Sequence, residues 1–226
     1  MKVFDYQPYD QNEYSTSDGA DAASADLNKV IRMSYGNDIL SQRLAFEAAG
    51  IWKQWNDEIS KTPSSELLKG LTPEDKLFEN CGFLRLSADD KLSVHEETTL
   101  KGMTAESLRD TQYIIGNAED EARAKQHPER FDLKVDALKR RERGQNLTGV
   151  FDATAGFVRA SKACVWTTHL ARKAGVKFIL GDKGHFESLL KSPDGSKIVG
   201  IKTTNGIFHQ AELVVVAGKL ISAKSK

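Results

Sequence analysis

Cysteine is scarce in this chain: Cys81 and Cys164 are the only two among 226 residues. Thiols so few and so far apart argue against a disulfide scaffold and against a cysteine zinc site, and they fit a reducing compartment. Net charge is lacking as well, because 32 Lys and Arg balance 32 Asp and Glu. No bulk electrostatic pull toward nucleic acid or an anionic membrane surface is expected. No apolar run approaches the ~20 residues that span a bilayer. No basic stretch followed by an apolar core marks a secretory signal. The expected location is therefore the cytoplasm, and Asn146-Leu-Thr148 is then a chance match to the glycosylation pattern. None of the five histidines has a partner at metal-ligand spacing, so no metal site is expected. Gly-x-Ser-x-Gly, a Walker turn and paired cysteines are missing, so the usual nucleophile and NTPase readings have no support. The Gly-x-Gly-x-x-Gly phosphate turn of dinucleotide-binding folds is missing too.

What is present is a mixed α/β pattern, long enough for one large domain or two small ones. Lys2-Val-Phe-Asp5 reads as a strand that opens the chain. In a dinucleotide-binding fold the second strand ends in Asp or Glu, whose carboxylate accepts hydrogen bonds from the adenosine ribose. Asp5 stands where that residue would stand, as though the chain began at a second strand. The plainer reading is a carboxylate that only ends a strand. Residues 7–24 are polar and turn-rich, and Ser17-Asp-Gly-Ala-Asp-Ala-Ala-Ser24 is small enough for backbone amides to approach a ligand. Asp38 to Ser60 predicts a helix with Leu40, Leu44, Ala48, Ile51 and Trp55 as its core face. Asn37 or Asp38 caps it, and Lys61-Thr-Pro63 ends it.

Cys81-Gly-Phe-Leu-Arg-Leu86 reads as a short strand, and Thr104 to Ile115 as a helix capped by Thr104. Ala118 to His127 is a charged helix stopped at Pro128. Phe131 to Arg143 is a further helical stretch that carries Leu133 and Leu138 and ends in the basic cluster Lys139-Arg-Arg-Glu-Arg143. Surrounding acidic residues cancel that cluster, which favours a solvated helix end over a nucleic-acid contact. Gly149-Val-Phe-Asp-Ala-Thr-Ala-Gly-Phe157 is small, apolar and flexible, and leads into a helix from Ala160 to Ala174 stopped by Gly175. Val176 to Leu180 follows as a strand, completing the end of a βαβ-type crossover. Pro193-Asp-Gly195 and Asn205-Gly206 are hairpin turns. They join 188–191, 197–203 and 207–217 into a three-stranded antiparallel meander. The continuous apolar run Ala211 to Gly218 predicts a strand buried on both faces.

The stretch Ser24-Ala-Asp-Leu-Asn-Lys-Val-Ile-Arg32, set after its small-residue loop and downstream of Lys2 to Asp5, resembles the FAD-dependent amine oxidases. These include sarcosine oxidase, saccharopine and pipecolate oxidases and the fructosyl amino acid oxidases (amadoriases). The Asn28-Lys29-Val30 core is most similar to the last branch, and the likeness continues through Asp152 to Gly181 and on to Gly218. The resemblance implies an incomplete FAD/NAD(P)-binding Rossmann-like domain from 1–60 and 150–218. It also implies part of an antiparallel-sheet substrate domain from 61–149, with an unrelated tail at 219–226. FAD is the implied cofactor, with Asp5, Ser24, Asp26, Asn28, Lys29, Phe186, Ala217 and Gly218 as its contacts. The Phe186 backbone would meet the adenine. Lys29 is the implied catalytic residue, a positive charge beside the flavin ring that stabilises reduced flavin and developing superoxide. Asp26 is the local carboxylate for the substrate amine. Arg32 is either structural or a bidentate partner for the substrate carboxylate.

The implied reaction oxidises the C–N bond of a secondary amine amino acid with O2, giving an imine and H2O2. The implied partners are that amino acid and O2. The phosphate turn, a second lysine that activates oxygen and the cysteine that carries flavin find no counterpart here, so a truncated chain of impaired activity is expected. The alternative is a non-catalytic remnant that pairs with a companion chain supplying the missing strands. Relatives often end in a peroxisomal address, which Lys224-Ser-Lys226 is not.

Overall fold

The computed structural model describes residues 2–7, 26–87, 91–134, 139–145 and 148–217. In chain order its elements are β1 (Phe4–Tyr6), β2 (Lys29–Ile31), α1 (Ile39–Lys61), β3 (Phe78–Glu79), β4 (Phe83–Leu86), α2 (Val94–Ala105) and β5 (Gln112–Ile115). Then follow α3 (Ala118–Gln126), β6 (Gly149–Asp152), β7 (Gly156–Val158), α4 (Ala160–Lys173), β8 (Lys177–Ile179), β9 (Phe186–Lys191), β10 (Ile198–Thr203) and β11 (Phe208–Gln210). The mixture of helix and sheet agrees with the α/β class read from the sequence. The chain divides into two compact units. The first is Met1–Leu27, Thr62–Pro73 and Ala160–Lys226, and the second is Asn28–Lys61 and Glu74–Arg159. Residues 28–60, assigned from the sequence to the first domain, thus belong with 74–159.

In the first unit β1 pairs in parallel with β8, Asp5 lying opposite Phe178. Helix α4 returns the chain to β8. Gly175 stops it as predicted, with φ at 86°, where a side chain would be strained. The Gly175 N–H reaches Arg172 O at 2.9 Å and the Val176 N–H reaches Ala171 O at 3.0 Å, closing the last turn. The meander forms as β9-β10-β11, with both predicted turns in place. In the first turn the Ser192 and Ser196 hydroxyls and the Ser196 N–H donate to Asp194 and hold its carboxyl down at about 2. The third strand, however, stops at Gln210. Residues 211–217 are not the buried strand expected: Leu213 is 77% exposed and Val215 76%. An apolar parallel strand is stable only between neighbours and under cover on both faces. None of the described residues supplies either.

The second unit holds two antiparallel sheets, β2-β7-β3 and β4-β6-β5. Residues 149–157 are therefore no flexible lead-in. They form the central strands β6 and β7, buried and joined by a tight turn. The apolar character read as flexibility comes from burial. Tyr113, Ile115, Ala124, Phe131 and Phe151 form the core beneath β6. Gly82 passes so close to Phe151 that a Cβ there would lie 2.1 Å from the ring, and its φ is 84°.

Three expectations in this unit give way. Residues 104–115 are not a helix. Helix α2 starts ten residues earlier at a reciprocal cap, where the Ser93 N–H donates to Glu96 Oε2 at 2.7 Å and the Glu96 N–H donates to Ser93 Oγ at 3.2 Å. Gln112-Tyr-Ile-Ile115 becomes β5, as its aromatic and β-branched residues favour. Helix α1 has the expected bounds and its Asp38 cap, with Ser41 N–H donating to Asp38 Oδ1 at 3.0 Å. Its inward face differs: Leu40 is 81% exposed, while Gln42, Ala45 and Ile59 are buried. Asn56 sets that rotation by clamping β3, accepting from Leu77 N–H at 2.7 Å and donating to Phe78 O at 2.8 Å. Among the described residues of 131–143, Phe131–Leu133 form a 3-10 turn and none is in an α-helix. Leu138 lies outside the described residues.

Candidate functional site

Asp5 sits at the centre of β1, half-buried, and accepts a hydrogen bond from Gln7 Nε2 at 2.9 Å. It does not end its strand. Phe186 opens β9 opposite Thr203 and is exposed. Asp26 is exposed, and Ala217 lies on the exposed, unpaired 211–217 segment. Ser24 and Gly218 fall outside the described residues. Asp5, Asp26, Phe186 and Ala217 all belong to the first unit.

Asn28, Lys29 and Arg32 belong to the second. Lys29 does not lie on a loop. It opens β2 opposite Val158 of β7, and strand alternation puts its half-buried side chain on the same side as Ile31, with Val30 turned outward. Asn28 precedes it, exposed. Arg32 is exposed, its guanidinium 5.6 Å from the centre of the Tyr35 ring.

Lys29 owes its place to a network the sequence did not announce. The turn from β6 to β7 is pinned from both sides. Asp152 Oδ1 accepts from Gln112 Nε2 at 2.8 Å, the Thr154 N–H at 2.9 Å and the Thr154 hydroxyl at 2.6 Å. Asn80 Nδ2 donates to Ala153 O at 2.8 Å and Ala155 O at 2.7 Å. Strand β7 leaves this turn and carries β2. Asp152 and Gln112 are buried, so loss of either leaves the other a buried polar group without its partner. The signal was present in retrospect: each is a lone polar side chain in a strand of aromatic and β-branched residues.

A second polar cluster surrounds Asp120 at the start of α3. Its Oδ2 accepts from Arg109 Nη2 at 2.8 Å and from the Ile114 N–H at 2.8 Å, and its Oδ1 accepts from Arg123 Nη2 at 2.5 Å. Burial alone would push this carboxyl up, but the hydrogen bonds from Arg109, Ile114 and Arg123 outweigh burial and hold it below the usual carboxylate range. The Arg123 guanidinium also lies 4.5 Å from the centre of the Tyr113 ring, whose hydroxyl burial pushes up. Perturbed carboxylates concentrate at functional sites, yet the partners here assign Asp120 a structural task. Gln112 O accepts from Arg109 Nη1 at 2.6 Å and Arg123 Nη2 at 3.0 Å. The Gly116 N–H donates to Glu121 Oε1 at 2.9 Å, and Ile114 O accepts from the Asn117 N–H at 3.2 Å. Charged side chains thus satisfy the edge of β5 that faces away from β6. Among the described residues no group of His, Cys, Asp and Glu could hold a metal ion, and no helix is long and apolar enough to cross a membrane.

No family model matches the chain. Its sequence is 26% identical to the amino acid oxidase fsqB of Aspergillus fumigatus, over 87% of this chain and 38% of that protein. A solved thermally stable mutant of fructosyl peptide oxidase shares its fold at a TM-score of 0.64 and 22% identity, covering 92% of this chain and 41% of the other. The fructosamine oxidase amadoriase II of Aspergillus fumigatus, solved in complex with FSA, matches at a TM-score of 0.55 and 22% identity, over 93% and 41% of the two chains. The chain spans about two fifths of the length of each of these relatives. Over the part it spans, the chain is thus similar in sequence to an amino acid oxidase and shares the fold of the fructosyl peptide oxidases and amadoriases.

Proposed function

We propose that this chain is part of an FAD-dependent oxidoreductase that acts on the C–N bond of a secondary amine amino acid, a fructosyl amino acid or a sarcosine-, saccharopine- or pipecolate-like compound. O2 is the electron acceptor, and an imine and H2O2 are the products. The observation that carries this reading is the amino acid oxidase relative, which runs through 87% of the chain. The fructosyl peptide oxidase fold supports it.

The residues present fit FAD only at one end. Asp5, half-buried on a parallel strand, offers a carboxylate of the kind that accepts from an adenosine ribose. Phe186 and Ala217 are exposed, and the sequence has no Gly-rich turn to present backbone N–H groups to a pyrophosphate. Lys29 supports the reading as a half-buried cation, placed by the strand pair β2–β7.

The purified chain is expected to be colourless or weakly flavin-loaded, and to make no peroxide with fructosyl amino acids or sarcosine. The assignment itself is tested by exchange: the corresponding segment of a fructosyl peptide oxidase is replaced by this chain. A folded exchange protein that binds flavin, and that loses oxidase activity on Lys29→Met with its flavin retained, supports the reading. A folded exchange protein that never takes up flavin overturns it.

One observation favours the second reading, a chain that works by pairing with another polypeptide. The segment 213–216 is apolar, with Leu213, Val215 and Val216 exposed, and it makes no strand pairing with the described residues. Such a segment reads as a strand in want of a neighbour.

A further inference from the structure

Helix α4 buries one narrow stripe, Ala160, Ala163, Trp166 and His169, at intervals of three residues. The polarity of that stripe lies in its last two members. The His169 ring lies flat on the Trp166 indole, with ring centres 4.9 Å apart and planes 14° apart. His169 is 6% exposed and Trp166 2%. Neither His169 Nε2 nor Trp166 Nε1 meets a hydrogen-bond partner among the described residues.

A neutral imidazole suits this setting, because it stacks well and brings no charge. An imidazolium does not. With both ring nitrogens protonated, the N–H at Nε2 would find no acceptor, and the charge would leave water for an apolar seat. The indole face attracts a cation, but that attraction does not offset the cost of burying an ion that has no paired charge. Two charged groups act on the ring: Lys173, one turn further along α4, and Glu66, in the 62–73 segment of the same unit. Lys173 opposes a proton on His169 and Glu66 favours one. Burial first, and Lys173 second, hold the imidazole below its ordinary value of 6.5, with Glu66 offsetting part of that.

We propose that the Trp166–His169 stack is an acid-released latch: protonation of His169 frees helix α4 from its seat in the first unit. Once α4 is released, His169 is hydrated and takes a proton more readily than in the stack. The docked form is therefore at full strength above the ordinary histidine value and loses ground as pH falls through it. With one proton involved, the released fraction rises at most about tenfold per pH unit.

The test uses the full chain, with tryptophan emission and near-ultraviolet circular dichroism followed from about pH 7.5 down to about pH 5. The expected result is a reversible transition marked by a red shift of the emission. His169→Phe should abolish it. Two substitutions at exposed positions keep the test independent of any folding defect in that variant. Lys173→Met removes the repulsion and should move the midpoint to lower pH. Glu66→Gln removes the attraction and should move it to higher pH. The proposal is overturned if His169→Phe retains the transition, or if both charge variants leave the midpoint where it was.

Discussion

Two strand edges in this chain meet opposite fates. The outer edge of β5 is fully occupied: Asp120, Glu121 and Arg123, delivered by α3, and Arg109, from the turn just before β5, stand in for the strand that is not there. The segment 212–217 has nothing of the kind. Glu212 is its only charged residue, and no hydrogen bond joins it to the described residues. Charges and caps on an edge prevent unwanted pairing, and apolar bare edges invite it. At β5 the second unit thus guards its own sheet edge, whereas the first unit offers an apolar segment that another strand could join.

Asp120→Ala is the strongest way to break this contrast. It removes the acceptor for two guanidinium groups and the Ile114 N–H at a site only 6% exposed. Breaking one side of a buried ion pair costs about 3 kcal/mol or more, readable as a lower urea midpoint with a rise in light scattering as β5 loses its guard. A loss below about 1 kcal/mol would mean that something else holds the edge. The carboxyl is held low in the fold, so its contribution is present above the ordinary value of 3.8 and is lost as pH falls below it. The acid limb of the urea midpoint against pH should therefore flatten in Asp120→Ala.

Gly82→Ala comes next and sharpens the same contrast from the core side. The added methyl meets the Phe151 ring at 2.1 Å, and φ is 84°. Overpacking with a strained backbone predicts a loss of about 2 kcal/mol. The loss should come without added scattering, because the β5 edge keeps its charged cover. Scattering equal to that of Asp120→Ala would mean that aggregation follows instability in general rather than the loss of edge protection.

The sequence made some of this legible and hid the rest for physical reasons. Local chemistry read true: Asp38 at the head of α1, Gly175 after α4, and the turns at Asp194 and Gly206 are set by residues near in sequence. What failed depended on partners far along the chain. Leu40 and Leu44 have helical spacing, but Asn56 and its clamp on residues 77 and 78 decide which side of α1 turns inward. Gln112-Tyr-Ile-Ile115 looked helical until β6, some 40 residues later, gave it a ladder. Of the candidate site, Lys29 is named by the resemblance alone. Gln112 and Asp152, which steady the strand that carries it, each stand out as a lone polar residue in an apolar strand, but no local pattern links the two.

Val215→Lys should have the smallest effect on stability and the most telling effect on association. The side chain is 76% exposed and touches no partner strand, so the urea midpoint should move by less than the equivalent of about 0.5 kcal/mol. Lysine on an edge is a known obstacle to strand addition, so concentration-dependent self-association should fall. The two readouts together separate the explanations. Unchanged stability with reduced association means that 212–217 is a bare edge, as the contrast with β5 requires. A loss above about 1 kcal/mol would mean that Val215 is packed within the chain in solution, and the first unit would then be as self-contained as the second.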